Sequence, residues 1–364
     1  MEPFGSVPEQ REAKRLLAAA LAGAPAHAYL FHGPRGVGKR AAALGFAAAL
    51  LGDERRVLGP RPVHPDLRVV EPLGDMIRID EIRALHHDLH MRPFEGSRRV
   101  YLLLGADLLN EDAADALLKD LEEPPSYATI VLVADELGPL PETIRSRCQL
   151  VPFRRLSEGA VRAWLAERAP ELGEQEVLAL ARVAGGRLDR AEALLDGDAR
   201  EERASLVELA RSAYRDAEFE PADAAQALLA AGAARGASAK AREEEAIEDL
   251  ELTAREAEQR VRRAQRGAER EALLASLEGL AAWYRDVVVV SAGAERVAVH
   301  ADRLDDLRAD AELDIARSAE DAAALCREAW RAAEEFNVNT SLALDALFTR
   351  VRRAFSAAVP HPVG

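Results

Sequence analysis

The chain has 364 residues, 49% hydrophobic and 30% charged, a composition of folded globular proteins with room for two or three domains. A formal net charge of -15 excludes a surface that attracts nucleic acid over its whole extent, so any DNA contact has to be local or made within an assembly. No apolar run of membrane-spanning length and no signal peptide is visible, and Cys148 and Cys326 lie far apart without metal-ligand spacing; a reduced, cytoplasmic setting with no membrane is expected.

In chain order, residues 10–21 read as a helix leading into a short strand at 28–31, a Gly-rich turn, and an apolar helix at 40–51. Further strands are expected at 67–70, 100–104 and 129–133. The last two are continuous apolar runs, the pattern of parallel strands covered on both faces. Helices between them, at 80–89 and 113–121, imply βαβ units and a doubly wound α/β sheet. From about Leu156 the strand pattern ceases, apart from the ambiguous run Val287-Val288-Val289-Val290. Ser157 is a candidate N-cap, and Gly185-Gly186 breaks the helices that follow. The mixed charges of residues 242–270, such as Glu256 with Arg260 four positions on, imply a long solvated helix rather than a nucleic-acid tail. The expected organisation is a core at 1–155, an all-α lid at 156–205 and an all-α collar at 206–364.

The strongest motif is Gly33-Pro34-Arg35-Gly36-Val37-Gly38-Lys39, a phosphate loop placed after a strand and before a helix. Its glycines let backbone N–H groups turn toward phosphate oxygens at a helix N-terminus, and Lys39 would reach the β and γ phosphates. The next position should carry a hydroxyl for Mg²⁺, and Arg40 stands there. The strand at 100–104 should end in carboxylates that hold Mg²⁺ and activate water, yet Leu104 and Gly105 fill those places. Asp107, three residues beyond Leu104, reads as a helix-capping residue. Gly33, Pro34, Gly36, Val37, Gly38, Lys39 and Arg40 are thus candidates for a residual nucleotide site with no metal ligand, at which hydrolysis is not expected.

Three further stretches carry a resemblance. The segments 27–34, His-Ala-Tyr-Leu-Phe-His-Gly-Pro, then 116–125, Ala-Leu-Leu-Lys-Asp-Leu-Glu-Glu-Pro-Pro, then 143–149, Thr-Ile-Arg-Ser-Arg-Cys-Gln, are similar to the bacterial clamp-loader AAA+ family of DNA polymerase III, and most of all to its delta prime branch. The segment 337–344 resembles part of that family's C-terminal helices. The resemblance implies a P-loop AAA+ core, a helical lid and a collar that packs into a hetero-oligomeric ring with gamma/tau-like motor and delta-like subunits. Through that ring it implies contact with the sliding clamp and primer-template DNA. It also implies that Arg147, in Ser146-Arg147-Cys148, enters a neighbour's ATP site, where a planar, permanently charged fork suits phosphate oxygens; Arg145 is its competitor. Arg190, after Gly185-Gly186, matches a lid arginine that touches nucleotide in active relatives; with the rest of the site degraded, a structural role for it stands equal to a phosphate contact.

Departures from the family pattern matter as much. Residues 52–63 contain no cysteine where delta prime members often carry a zinc module, so zinc is not expected, and His64 reads as a turn residue. Ala134 stands where a polar sensor of the γ-phosphate is expected. No cofactor is required on this reading; ATP or ADP would bind weakly and without hydrolysis. The expected function is a non-hydrolysing ring subunit. The alternatives are an active motor ATPase, which the losses around Lys39 disfavour, and a free-standing DNA-binding protein, which the negative charge disfavours.

Overall fold

The computed structural model describes residues 3–59, 62–72, 76–248, 253–335 and 339–356. Asn337 and Val338 of the resemblance-bearing C-terminal segment lie outside the described residues. The chain divides into two compact units, Met1–Trp164 with Gly185–Arg190, and Leu165–Ala184 with Ala191–Gly364.

The first unit begins with α1 (Arg11–Ala22), β1 (Ala28–His32), α2 (Lys39–Leu51) and a one-turn α3 (Glu54–Val57). β2 (Leu67–Val70), α4 (Ile79–Leu89), β3 (Arg99–Leu104) and α5 (Glu111–Glu122) follow. β4 (Ala128–Ala134), α6 (Glu142–Arg145) and β5 (Gln149–Pro152) complete a five-stranded sheet ordered β2-β3-β4-β1-β5, with every pair parallel. β3 and β4 are buried along their whole length because both faces are covered. Val100, Leu102, Val131 and Val133 pack with Leu17 of α1 and Phe46 of α2. Their neighbours Tyr101, Leu103, Ile130 and Leu132 point the other way, onto Ile82 and Leu85 of α4 and Leu117 of α5. The expected doubly wound α/β sheet is present. β5 has no counterpart in the sequence reading: Gln149 and Leu150 are exposed and only Val151 is buried, so an edge strand of four residues leaves little apolar pattern.

Ser157 caps α7 (Glu158–Arg168), its Oγ accepting the Ala160 N–H at 3.1 Å. α8 (Glu174–Ala184) ends at Gly185-Gly186, where both residues take positive φ, and α9 (Leu188–Ala193) begins two residues later. The second unit holds α8 with α10 (Gly197–Arg215), α11 (Pro221–Ile247), α12 (Ala254–Ser291), α13 (Leu304–Ala311), α14 (Ala316–Glu335) and α15 (Thr340–Ser356).

Val287-Val288-Val289-Val290 is helical, not a strand. Leu280, Trp283, Tyr284, Val287 and Val290 recur at helical spacing and are buried, so burial of one stripe overrides the β-branched preference for strands. The charged stretch is likewise two helices rather than one. Thr253 and Glu256 form a capping box at the start of α12, and Arg260 pairs with Glu243 of α11 instead of Glu256.

One polar cluster stands inside this apolar unit. Asp310 is fully buried and accepts from Arg211 Nε at 3.0 Å, Arg215 Nε at 2.5 Å and the Tyr214 hydroxyl, which itself accepts from Trp283 Nε1 at 3.0 Å. Among the described residues, no helix is long and apolar enough to cross a membrane.

Candidate functional site: a phosphate cradle and an exposed arginine

The cradle forms where β1 ends and α2 begins. Gly33 takes φ 138°, and a Cβ there would lie 2.1 Å from the Phe153 carbonyl oxygen beyond β5, so the loop can approach that backbone only without a side chain. Val37 is wholly buried and anchors the loop. Gly38, at φ 96°, is the N-cap residue of α2. Gln10 ties the outside of the loop down, its Nε2 donating to Val37 O and Arg154 O.

Lys39 is 5% exposed, and its ammonium is satisfied by the chain itself. Nζ donates to Gly33 O at 2.5 Å and Pro34 O at 2.6 Å, and lies 2.7 Å from Oδ1 of Asp135, the residue just after β4. Its charge and the burial of His32 both lower the His32 pKa, burial having the larger effect. Arg40 turns outward to Glu71, 2.5 Å away, on the exposed side of the loop. No hydroxyl stands at that position to take Mg²⁺.

β3 stops at Leu104, and Gly105 turns the chain with φ 75° into a short 3₁₀ segment, Ala106–Leu108. Asp107 lies within that segment and does not cap a helix. Its Oδ1 accepts the Asp135 N–H at 3.2 Å, and burial raises its pKa. Asp107 and Asp135 thus meet at the C-terminal edge of the sheet, but Asp135 is already paired with Lys39. These residues do not fit a magnesium site of the working kind, whereas the backbone of the loop retains the form of a phosphate cradle.

Sequence reading missed the side chain that closes on this loop. A Cβ on Gly36 would lie 1.8 Å from Oδ1 of Asp189, the second residue of α9, and Leu188 N donates to Gly36 O at 2.7 Å. The Asp189 carboxylate is gripped by Arg187 at 2.7 Å and lies 3.6 Å from Arg35 Nε. Burial pushes its pKa up, but Arg187, the Arg190 N–H and Arg35 outweigh that and hold it below the usual carboxylate range. Arg190 is one residue further along α9, its backbone N–H donating to Asp189 Oδ1 at 2.9 Å. The Gly-Gly break and the resemblance of Arg190 to a nucleotide-touching arginine were the sequence signals that α9 turns back toward the loop.

Arg147 lies apart from the cradle, just beyond α6. It is exposed; Nη1 donates to Thr143 O at 3.0 Å and Nη2 to Glu122 Oε1, at the end of α5, at 2.5 Å. Arg145 is half-buried with its Nε enclosed and without a hydrogen bond, so Arg147 is the more available of the two. His64 is buried in a turn, Nδ1 accepting the Asp66 N–H at 3.0 Å. Asp66 in turn accepts the N–H groups of Phe94, Glu95 and Gly96.

A parallel sheet with this strand order, its phosphate loop after β1 and helices on both faces, is a P-loop AAA+ core. Residues 9–157 match the family model described as DNA polymerase III, delta subunit. A DNA polymerase III subunit delta' of Pseudomonas aeruginosa is 35% identical over 196 residues, covering 50% of this chain and 60% of the relative. The delta' subunit of Bacillus subtilis is 36% identical over 155 residues, 39% of this chain and 46% of the relative. DNA polymerase III subunit tau of Bacillus subtilis is 35% identical over 145 residues, 37% of this chain and 26% of that protein. The chain therefore spans about half the length of the delta' relatives it matches. Its residues 9–157 are thus similar to subunits of bacterial DNA polymerase III, delta' subunits among them.

Proposed function

We propose that the chain is a delta'-type clamp-loader subunit that does not hydrolyse ATP. It braces a hetero-oligomeric ring with gamma/tau-like motor and delta-like subunits, and the ring loads the sliding clamp onto primer-template DNA in the cytoplasm. The observation that carries this reading is Lys39, whose ammonium is already paired with Asp135 and hydrogen-bonded to two loop carbonyls, beside an Arg40 that cannot ligate a metal. A triphosphate entering the cradle has to displace the Asp135 carboxylate and would still find no group to place Mg²⁺. Residues 33–40 and Arg190 then form a residual site that at most holds ATP or ADP inertly, with no required cofactor and no zinc module at residues 52–63. On this reading the core is residues 1–155, the lid 156–205 and the ring-forming collar 206–364.

Arg147 is the group this subunit contributes to chemistry. It is exposed, held by the half-exposed Glu122 and by the Thr143 carbonyl, and always charged, so it is suited to reach the γ-phosphate in a neighbour's site. Two measurements test the reading. The purified chain alone should show no ATP turnover above that of Lys39→Ala; turnover that Lys39→Ala abolishes would establish the motor alternative instead. A ring reconstituted with Arg147→Ala should assemble normally yet lose DNA-stimulated ATP hydrolysis at the adjoining site by about 10³–10⁵-fold. An intact ring with an unchanged rate would remove the trans-acting role.

A further inference from the structure

On the face of the sheet away from α2, three metal-binding side chains converge outside the phosphate cradle. We propose that His86, His90 and Asp120 form a binding site for a divalent transition-metal ion, zinc by its donor set. His86 and His90 stand four residues apart, so both rings project from one face of α4, with centroids 4.7 Å apart. His90 is the C-cap of α4 and keeps a right-handed helical backbone, φ -82°, and its ring stands edge-on to that of His86. Asp120 comes from α5, packed alongside, and its Oδ1 lies 2.6 Å from His86 Nδ1. One donor atom from each of the three lies within 4.8 Å of the other two.

Asp120 is the pre-set member. It is 2% exposed, and its Oδ2 is buried with no hydrogen-bond partner among the described residues. A buried carboxylate satisfied on one oxygen alone is costly, and a cation beside it removes that cost. The two imidazoles are exposed and can rotate. Zinc bonds of about 2.0–2.2 Å place tetrahedral donors roughly 3.3–3.6 Å apart, so modest ring movement closes the site. Two imidazoles with one carboxylate favour zinc over magnesium or calcium, which take mainly oxygen, and no thiolate is present to favour copper(I). Three protein donors leave a fourth position for water. The ion would join the C-terminal end of α4 to α5 and thereby stiffen the helical layer over β3 and β4.

This proposal is independent of the role assigned to the ring. The test uses the full chain stripped of metal with a chelator, then titrated with Zn²⁺ alone against a chromogenic competitor. Co²⁺ in a parallel titration reports coordination through its visible ligand-field absorption. The expected result is one ion per chain, a Co²⁺ spectrum of four- or five-coordinate intensity, and a melting temperature that rises with Zn²⁺. His90→Ala and His86→Ala should each weaken binding by more than about tenfold and abolish the metal-dependent rise. His87→Ala, one residue off the face, should bind as the parent does. Asp120→Asn is informative wherever it folds, but His90 is exposed, so His90→Ala decides the matter with the fold intact. Absence of stoichiometric binding by the parent chain, unaltered binding in His90→Ala, or equal loss in His87→Ala would each overturn the assignment.

Discussion

Replacing Glu122 with Gln removes the charge that holds Arg147 in the isolated chain while keeping the shape of the side chain. The two side chains are 34% and 50% exposed, so the pair belongs to the exposed class worth about 0.2–1 kcal/mol. With RT at about 0.59 kcal/mol, Arg147 then leaves Glu122 roughly a sixth to two-fifths of the time. The bond to Thr143 O adds little, because water can replace it at this exposed position. Glu122→Gln should therefore leave urea stability within about 1 kcal/mol of the parent. In a reconstituted ring, the chain concentration giving half-maximal ATP hydrolysis should fall by no more than about sixfold, with the maximal rate unchanged. The assay is steady-state phosphate release as the chain is titrated into a fixed amount of its partner subunits. A maximal rate that collapses as far as it does in Arg147→Ala would refute the reasoning, because Glu122 would then share in the chemistry. So would a stability loss of several kcal/mol, which would mean the pair is shielded from water.

Three other outcomes follow from contacts described above. Asp310→Ala leaves Arg211 and Arg215 without their shared buried acceptor and should cost about 3–5 kcal/mol in urea unfolding followed by tryptophan fluorescence; a loss below 1 kcal/mol would show that water satisfies the cluster. Asp135→Asn frees the Lys39 ammonium from a carboxylate that is 46% exposed, so equilibrium dialysis with ADP should show affinity rising by up to about fivefold; unchanged affinity would mean the pair is no obstacle. Burial raises the Asp66 carboxyl, but three backbone N–H groups and Arg99 outweigh it and lower its pKa in the folded chain. Its contribution is then fully present above the unfolded value of about 3.9 and is lost as pH falls through the lower folded value. The stability gap between parent and Asp66→Asn should be full at neutral pH and close in acid, and a gap that widens in acid would contradict the depressed pKa.

The core was legible because its signals are local. A phosphate loop between an apolar strand and an apolar helix needs only adjacent residues, and β3 and β4 announce burial on both faces by their unbroken apolar runs. The lack of a hydroxyl after Lys39 and of carboxylates at the end of β3 was legible for the same reason, since Arg40, Leu104 and Gly105 sit at fixed offsets from those elements. What escaped reading depends on distant pairings. Asp189 meets Gly36 across about 150 residues of chain, and although its neighbour Arg190 resembles a nucleotide-touching lid arginine, nothing local marks Asp189 itself. The meeting of Asp120 with His86 likewise requires α4 and α5 to dock first. The four consecutive valines were ambiguous in a different way: taken alone they favour a strand, and the stripe running back through Trp283 to Leu280 shows that they continue a buried helix.

The internal neutralisation of Lys39 has a consequence for a machine driven by nucleotide cycles. An ordinary cradle depends on its guest for order, so its geometry follows the cellular ratio of triphosphate to diphosphate. Here the ammonium has one counterion, Asp135, and two carbonyl acceptors within the chain, so on the proposed reading the loop would keep its form whatever that ratio is. Such a part would serve as a stationary post against which moving neighbours can swing, its shape indifferent to the energy charge that sets them in motion.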